Sequence, residues 1–282
     1  MGYKLLFDGD VICYRAGFAA ERRVVEIDPE DDSKITRIEV EPLDHALQNV
    51  KELVENCMTQ IGANDYHIYL TGKNNFRKDV ATIREYKANR KNARYPIHLD
   101  DIKQYLIKNH PTSVSEGQEA DDDLGIALTK LGDSGIVVSN DKDLLMVPGK
   151  HYVFTREEKV VVTEESGKRH FWTQVLTGDS TDNIMGCPMI GPKKAEKALD
   201  GITDDQDYYD VVYGLYKRQL TKKPPEGITL EGDTVKYINW KTQEESIVDL
   251  KDFITEIGRL LWIRRHPDQL WEIPQGEQDA QY

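Results

Sequence analysis

The sequence predicts an α/β fold with a mostly parallel sheet and flanking helices, followed by a helical region. Three observations carry this reading. Short apolar runs at Tyr3–Phe7, Tyr66–Leu70 and Gly135–Ser139 each lead into a turn of Gly or acidic residues. Segments of helical periodicity separate these runs, as right-handed βαβ units require. After His151 that alternation stops, and the texture becomes helical with polar insertions. The predicted domains are residues 1–172 and 173–282.

Each element has its own reason. Tyr3–Phe7 reads as a buried strand that presents Asp8 at its carboxyl end, and Val11–Ala20 starts a helix. Residues 26–41 alternate around a turn cluster at Asp28–Asp32, which predicts a hairpin. Leu43, Ala46, Leu47, Val50, Leu53, Val54 and Cys57 recur at helical spacing, so 43–61 is a helix. Tyr66–Leu70 is the second strand and Gly72 follows it. Helices are predicted over 100–108 and 119–130, the latter opening with acid where the helix dipole favours it. Gly135–Ser139 is the third strand, running into Asp141 and Asp143. Residues 160–171 read as a hairpin around Glu165-Ser166-Gly167. Residues 172–198 read as helical on both sides of a Gly/Pro-rich turn, and 252–265 as a last helix. Residues 221–249, with Pro224-Pro225, form a polar insert with a strand pair of no evident place in the fold. No internal repeat or low-complexity tract is present.

Composition narrows the function. Of 282 residues, 39% are hydrophobic and 31% charged, which excludes collagen-like and largely disordered chains. No window approaches the ~20 apolar residues of a membrane span, and Asp8 and Asp10 stand where a signal peptide needs its apolar stretch. Leu6 stands where a myristoylation motif needs Ser or Thr. Cys13, Cys57 and Cys187 form no C-x-x-C pair, so a reducing, cytoplasmic setting without disulfides or a zinc knuckle is expected. The formal net charge is −13, which at first argues against nucleic acid. Yet Lys73–Arg94 carries eight Lys and Arg against Asp79 and Glu85. A basic strip is thus set in acidic surroundings.

Three constellations carry chemistry. The first is Asp8, Glu119, Asp121, Asp122, Asp141, Asp143, Asp179 and Asp182. Singly, each acid reads equally as a solvated cap or turn. Glu119 and Asp122 share one helical face by i, i+3 spacing, as do Asp179 and Asp182, while Asp141 and Asp143 are i, i+2. If these segments converge, the pocket repels itself unless cations fill it. An all-oxygen set suits Mg²⁺ or Mn²⁺, not zinc. Self-repulsion also predicts that Asp141→Asn or Asp182→Asn leaves the metal-free protein no less stable. The second constellation is the basic strip, with Arg77, Arg84, Tyr86, Lys87 and Arg90. It is either an exposed charged helix or a phosphate grip in which Tyr86 stacks on a terminal base. The third is Gly186-Cys-Pro-Met-Ile-Gly191-Pro192-Lys193-Lys194. It is either a simple helix-linking turn or a helix–hairpin–helix whose backbone binds phosphate without reading sequence.

The order Asp8-Gly-Asp, Tyr86-Lys-Ala-Asn-Arg90, Glu119-Ala-Asp-Asp-Asp123, Ser139-Asn-Asp-Lys-Asp143 and Gly178-Asp-Ser-Thr-Asp-Asn183, then the Gly-Pro turn, resembles the phage-type 5′–3′ exonuclease/flap endonuclease family. The resemblance runs from about residue 3 to 200. It implies a PIN-like (Rossmann-like) nuclease domain followed by a helix–three-turn–helix region. It also implies two Mg²⁺ (or Mn²⁺) ions, with K⁺ at the helix–hairpin–helix turn as a further expectation. The substrate it implies is duplex DNA cut from a 5′ end or at a flap, extending to RNA–DNA hybrid. The protein would act as a monomer in a host cytoplasm, with no membrane. Carried over, Asp8, Glu119 and Asp121 resemble ligands of the first metal, with Asp122 close by. Asp141, Asp143 and Asp182 resemble the second-metal side, with Asp179 near it. Lys87 resembles the lysine at the scissile phosphate, and it joins Asp8, Asp121 and Asp141 as the expected catalytic set. Arg77, Arg84, Tyr86, Arg90, Gly186, Gly191, Lys193 and Lys194 complete the expected nucleic-acid contacts.

The chain departs from the family pattern at two positions. The Asp that commonly follows the second strand is Gly72 here, which leaves the first site one carboxylate short, with water, Asn74 or Asn75 as substitutes. Gly72→Asp is accordingly expected to lower the Mg²⁺ requirement. The turn that usually reads Gly-Ile-Gly begins with Met189. The stretch before Glu119 is also short for a closed arch. A PIN-type ribonuclease and a non-catalytic duplex-binding protein are the rival readings.

Overall fold

The computed structural model describes residues 2–27, 33–91 and 93–274. It opens with β1 (Lys4–Asp8), α1 (Gly9–Ala19), β2 (Glu21–Ile27), β3 (Lys34–Val40), α2 (Leu43–Ile61) and β4 (Asp65–Thr71). Then come α3 (Phe76–Val80), α4 (Leu99–Asn109), β5 (Thr112–Ser115), α5 (Ala120–Leu131), β6 (Gly135–Val138), β7 (Gly149–Val153) and β8 (Glu158–Val162). The chain continues with α6 (Glu164–Thr177), β9 (Gly178–Asp179), β10 (Ile184–Met185), α7 (Pro192–Ala198) and α8 (Asp205–Lys222). It ends with β11 (Ile228–Glu231), β12 (Thr234–Ile238), β13 (Glu245–Asp249) and α9 (Leu250–Leu261).

The chain forms two compact units. The first takes in the chain up to Lys73, Arg94–Lys142 and Gly149–Val161; the second takes Asn74–Ala93, Asp143–Pro148 and the chain from Val162 onward. The domain boundary expected at 172/173 falls inside α6, and the basic strip belongs mainly to the second unit.

The first unit is built on a sheet of order β5-β4-β1-β6-β7-β8. The pairs β5–β4, β4–β1, β1–β6 and β6–β7 are parallel, which bears out the predicted α/β class. Leu5, Leu6 and Phe7 of β1 are fully buried, as a central parallel strand covered on both faces requires. Leu5, Phe7, Ile68, Leu70, Ile136 and Val138 pack with Ile12, Val50, Val54, Ile102 and Leu106 of the flanking helices in one core. The predicted hairpin is the β2–β3 ribbon, in register Glu21↔Val40 to Ile27↔Lys34. Its expected turn at 28–32 lies outside the described residues.

The second unit gathers α6, α8 and α9 around Phe171, Trp172, Tyr208 and Trp271, all buried. Trp172 stacks on Tyr208 with ring centroids 6.1 Å apart. The hairpin predicted over 160–171 is wrong. Thr163 caps α6 in a capping box with Ser166, and Glu165-Ser166-Gly167 is helical. The unplaced insert is a three-stranded antiparallel sheet with β12 in the middle. It braces the basic strip: the Trp240 indole N–H donates to the Ala81 carbonyl at 2.9 Å, and the Trp240 backbone N–H to Thr82 at 3.1 Å. The strip is not a long charged helix, because only α3 and a 3₁₀ turn at Ala88–Arg90 are helical. Among the described residues, no helix is long and apolar enough to cross a membrane.

Candidate functional site

In the first unit, the carboxyl end of β1, the loop after β6 and the start of α5 present acids, while β4 ends in Thr71 and Gly72 follows it. Asp8 ends β1 and caps α1, accepting from the Val11 N–H at 3.1 Å. Its other oxygen accepts from the Ser139 hydroxyl at 2.7 Å. The Ser139 oxygen in turn accepts from the Asp141 N–H at 2.9 Å, so one serine ties Asp8 to Asp141. Asp8 is 3% exposed. Burial, then the charges of Asp10 and Asp141, push its carboxyl up to about 7, against the pull of the Ser139 and Val11 hydrogen bonds. Glu119 and Asp122 are both buried and form the capping box of α5, with the Glu119 N–H donating to Asp122 at 3.1 Å. Asp121 is half-buried beside them. The Ala120 N–H donates to the Thr71 hydroxyl at 3.0 Å, and the Thr71 N–H to Asp10 at 3.0 Å. Asp10 also pairs with Lys103 at 3.1 Å.

Among the described residues, no three or more His, Cys, Asp or Glu side chains are gathered as a ready-made metal cage. The donor chemistry nonetheless fits a hard divalent ion. The acids are oxygen donors only, and a buried carboxylate that holds its proton to near pH 7 gains most from a cation that replaces that proton. Mg²⁺ commonly keeps its waters and takes only one or two carboxylates.

Gly72 offers no place for the absent Asp. A Cβ there would stand 2.1 Å from the Ser115 backbone oxygen. The strand neighbour therefore excludes any side chain, and the expected gain from Gly72→Asp is overturned. Asn75 does not fill the gap either: it caps α3, accepting from the Arg77 N–H at 2.9 Å.

In the second unit, the loop 178–183 and the basic strip are laced together. Asp182 accepts from the Tyr86 hydroxyl at 2.9 Å, pairs with Arg90, and lies 3.6 Å from the Lys87 ammonium. The Lys87 N–H donates to the Asp182 carbonyl at 2.8 Å, with Lys87 held at φ 58°. Its ammonium also lies 5.0 Å from the centre of the Tyr86 ring. Asn89 donates to the Ser180 carbonyl at 2.7 Å and Asn183 to that of Glu85 at 2.9 Å. Asp179 folds onto its own loop, accepting from the Thr181 N–H at 2.7 Å. Asp143 accepts from the Gln174 amide.

Two expected nucleic-acid contacts are corrected here. Arg77 is buried, and its guanidinium donates to the carbonyls of Leu260 at 2.9 Å and Trp262 at 2.7 Å. Tyr86 is buried with its hydroxyl on Asp182, so its ring is not presented to a base. Arg84 is exposed, with no hydrogen bond or ion pair among the described residues. In the Gly-Pro turn, Gly186 is half-buried, and Gly191 caps α7 with Lys193 and Lys194 exposed behind it. Met189 sits at φ 63°, a left-handed position that suits glycine, and Lys194 clamps its carbonyl at 2.9 Å.

Sequence reasoning missed Ser139, Thr71 and Gln174. Ser139 stood inside a motif that was read only for its acids. A small hydroxyl between a strand end and two carboxylates was the available signal. Thr71 and Gln174 gave none.

No model of a protein family matches the chain. The flap endonuclease Xni of Shewanella pealeana is 29% identical over 167 residues, 55% of this chain and 65% of the relative. A 5′–3′ exonuclease of Buchnera aphidicola is 27% identical over 158 residues, 51% of this chain and 54% of the relative. DNA polymerase I of Rhizobium leguminosarum is 33% identical over 168 residues, 52% of this chain but 16% of the relative. The chain thus spans between 16% and 65% of the length of these curated relatives. A solved structure of the T5 5′-exonuclease with divalent zinc ions matches with a TM-score of 0.55 at 18% identity, over 75% of this chain and 79% of that one. That likeness shows the fold. The relatives bear the names to which the order of motifs pointed, so the resemblance to 5′–3′ exonucleases and flap endonucleases is borne out.

Proposed function

From this kinship we propose that the protein is a divalent-metal-dependent nuclease that hydrolyses phosphodiester bonds of duplex DNA from a 5′ end. Flap cleavage and removal of RNA from RNA–DNA hybrid belong to the same reading, with the protein acting as a monomer in a cytoplasm. The observation that carries it is the acidic end of the sheet, where buried Asp8 is tied through Ser139 to Asp141 and buried Glu119 and Asp122 open α5. Such a group calls for a cation from outside.

In this reading Asp8, Glu119 and Asp121 hold one Mg²⁺ or Mn²⁺, with Asp122 fixing the turn that presents Glu119. Asp141, Asp143 and Asp182 serve the second ion, with Asp179 near it, and K⁺ sits at the Gly186–Gly191 turn. Bound divalent ions would polarise the phosphodiester and activate a water for in-line attack. The chain's own groups do the rest. Ser139 orients Asp8 and positions Asp141 through its N–H. Lys87 supplies fixed positive charge to a phosphate whose charge grows in the transition state. Arg84, Lys193 and Lys194 neutralise phosphates away from the cut.

The test uses 5′-labelled duplex, flap and RNA–DNA hybrid, each with Mg²⁺ and with EDTA. Mg²⁺-dependent release of short products from the 5′ end is expected, and none with EDTA. Binding without cleavage in Mg²⁺ would make it a duplex-binding protein. Cleavage confined to single-stranded RNA would make it a ribonuclease of the lone-domain kind.

A further inference from the structure

One cleft of the second unit surrounds Arg84 with side chains to which that reading gives no task. Its volume is about 440 Å³, within the range of small-ligand sites. The basic strip contributes Arg84 and Asn89, the loop before the Gly-Pro turn contributes Ser180 and Asn183, and Pro188 and Pro225 are among its apolar lining. Pro225 comes from the polar insert that had no evident role in the sequence.

The lining has a definite chemistry. Arg84 is exposed and carries a guanidinium with no hydrogen bond or ion pair among the described residues. Among the described residues no Asp or Glu lines the cleft, so no carboxylate of theirs opposes an anion there. Asn89 and Asn183 are pinned to the Ser180 and Glu85 carbonyls, so the polar wall is already set before a ligand arrives. Pro188 and Pro225 present rigid rings without N–H groups. An exposed guanidinium and rigid apolar proline rings lining one cleft match a phosphate joined to a planar base.

We propose that this cleft holds one nucleotide unit of a bound nucleic-acid strand, with its phosphate on Arg84 and its base against Pro188 and Pro225. The assignment to a strand rests on the nuclease reading. A planar guanidinium fork suits a phosphate better than an ammonium does, and the proline rings give no base preference. The site therefore adds grip without sequence specificity.

The experiment measures equilibrium binding of a fluorescein-labelled duplex with a single-stranded tail, in EDTA so that nothing is cut. Wild type is compared with Arg84→Ala, Arg84→Lys and Pro225→Trp, the last filling the cleft without changing charge. Melting curves verify folding. Arg84→Ala is expected to weaken binding by about tenfold and to reduce the slope of log K against log salt by about one. Arg84→Lys should restore the slope. Pro225→Trp should weaken binding with the slope retained. Wild-type affinity in Arg84→Ala, while wild type still cuts in Mg²⁺, overturns the subsite and leaves the nuclease reading intact. Loss in Arg84→Ala but none in Pro225→Trp also overturns it, because Arg84 would then touch phosphate outside the cleft. Binding of dAMP that needs Arg84, with tailed-duplex affinity indifferent to all three variants, would reassign the cleft to free nucleotide. A wild type that neither binds nor cuts removes the nuclease reading and the subsite together.

Discussion

Asp8 and Asp182 are the same residue type in two acidic motifs, and their surroundings are opposite. Asp8 is buried at a strand end with Asp10 and Asp141 near it, and neutral donors alone hydrogen-bond to it in the contacts described above. Asp182 is half-buried and already meets Arg90, Lys87 and Tyr86. The first acid takes a proton where no cation is supplied, and the second has its cations built in. A second ion at Asp182 would therefore compete with Arg90 and Lys87 for that carboxylate. The counter-charge of an acid-rich motif can come from solution or from the chain.

The largest effect that can break this comparison is on rate. If Lys87 acts on substrate as well as on Asp182, Lys87→Ala lowers the single-turnover rate at saturating enzyme by about 10²-fold or more. Duplex affinity in Ca²⁺ should barely change. The pair Lys193→Ala and Lys194→Ala should do the reverse, with loss of affinity and a salt slope smaller by about one to two. Loss of affinity alone in Lys87→Ala would reduce that lysine to the holder of Asp182.

The next effect concerns Asp8. Saturating Mg²⁺ should raise the melting temperature, by about 2.7 kcal/mol of stabilisation at a hundred times the dissociation constant, and Asp8→Asn should remove most of the rise. The pH dependence has a definite sign. The carboxyl is held at about 7 in the fold against an ordinary 3.8. Between these values the folded state binds more protons than the unfolded one. The stability this gives is complete below about pH 4 and is lost as pH rises through 7. Without metal, the melting temperature of wild type should therefore drop more between pH 5 and 8 than that of Asp8→Asn. An unchanged drop in the variant would mean that another group carries the titration.

The smallest effect sharpens the other side. Self-repulsion among acids predicted that Asp182→Asn costs the metal-free protein nothing. The contacts to Arg90, Lys87 and Tyr86 overturn this, and a loss of about 1–2 kcal/mol is expected in urea unfolding, since these are charge-assisted bonds at a partly exposed site. Equal stability of wild type and Asp182→Asn would show that the cation cage is only incidental.

Much of the first unit was legible, because its signals are local. The runs that became β1, β4 and β6 end at Asp8, Thr71 and Val138, each within one residue of the apolar pattern, and α2 follows its periodicity over the predicted span. The α6 error has a definite cause. Gly167 after a polar cluster looks like a turn, but it is there for packing: a Cβ would meet the Met146 carbonyl oxygen at 2.6 Å. The same kind of contact decides Gly72, where the obstacle is Ser115, distant in sequence. The cation cage was illegible for a related reason. Tyr86 and Asp182 are separated by 96 positions, and nothing in either motif records that they meet. Chemistry carried by one motif could be read; chemistry made by two could not.

The buried Arg77 has a consequence in time. Its hydrogen-bond acceptors, the carbonyls of Leu260 and Trp262, lie 183 and 185 positions further along the chain. Thr82 and Ile83 likewise donate to Glu256. The part of the strip around Arg77, Thr82 and Ile83 gains these partners only when α9 has been made. Such long-range closure is slow in entropic terms. A growing chain thus holds the Arg77 end of the strip without these partners until α9 has been made, whereas the Lys87 end can close on the 178–183 loop earlier.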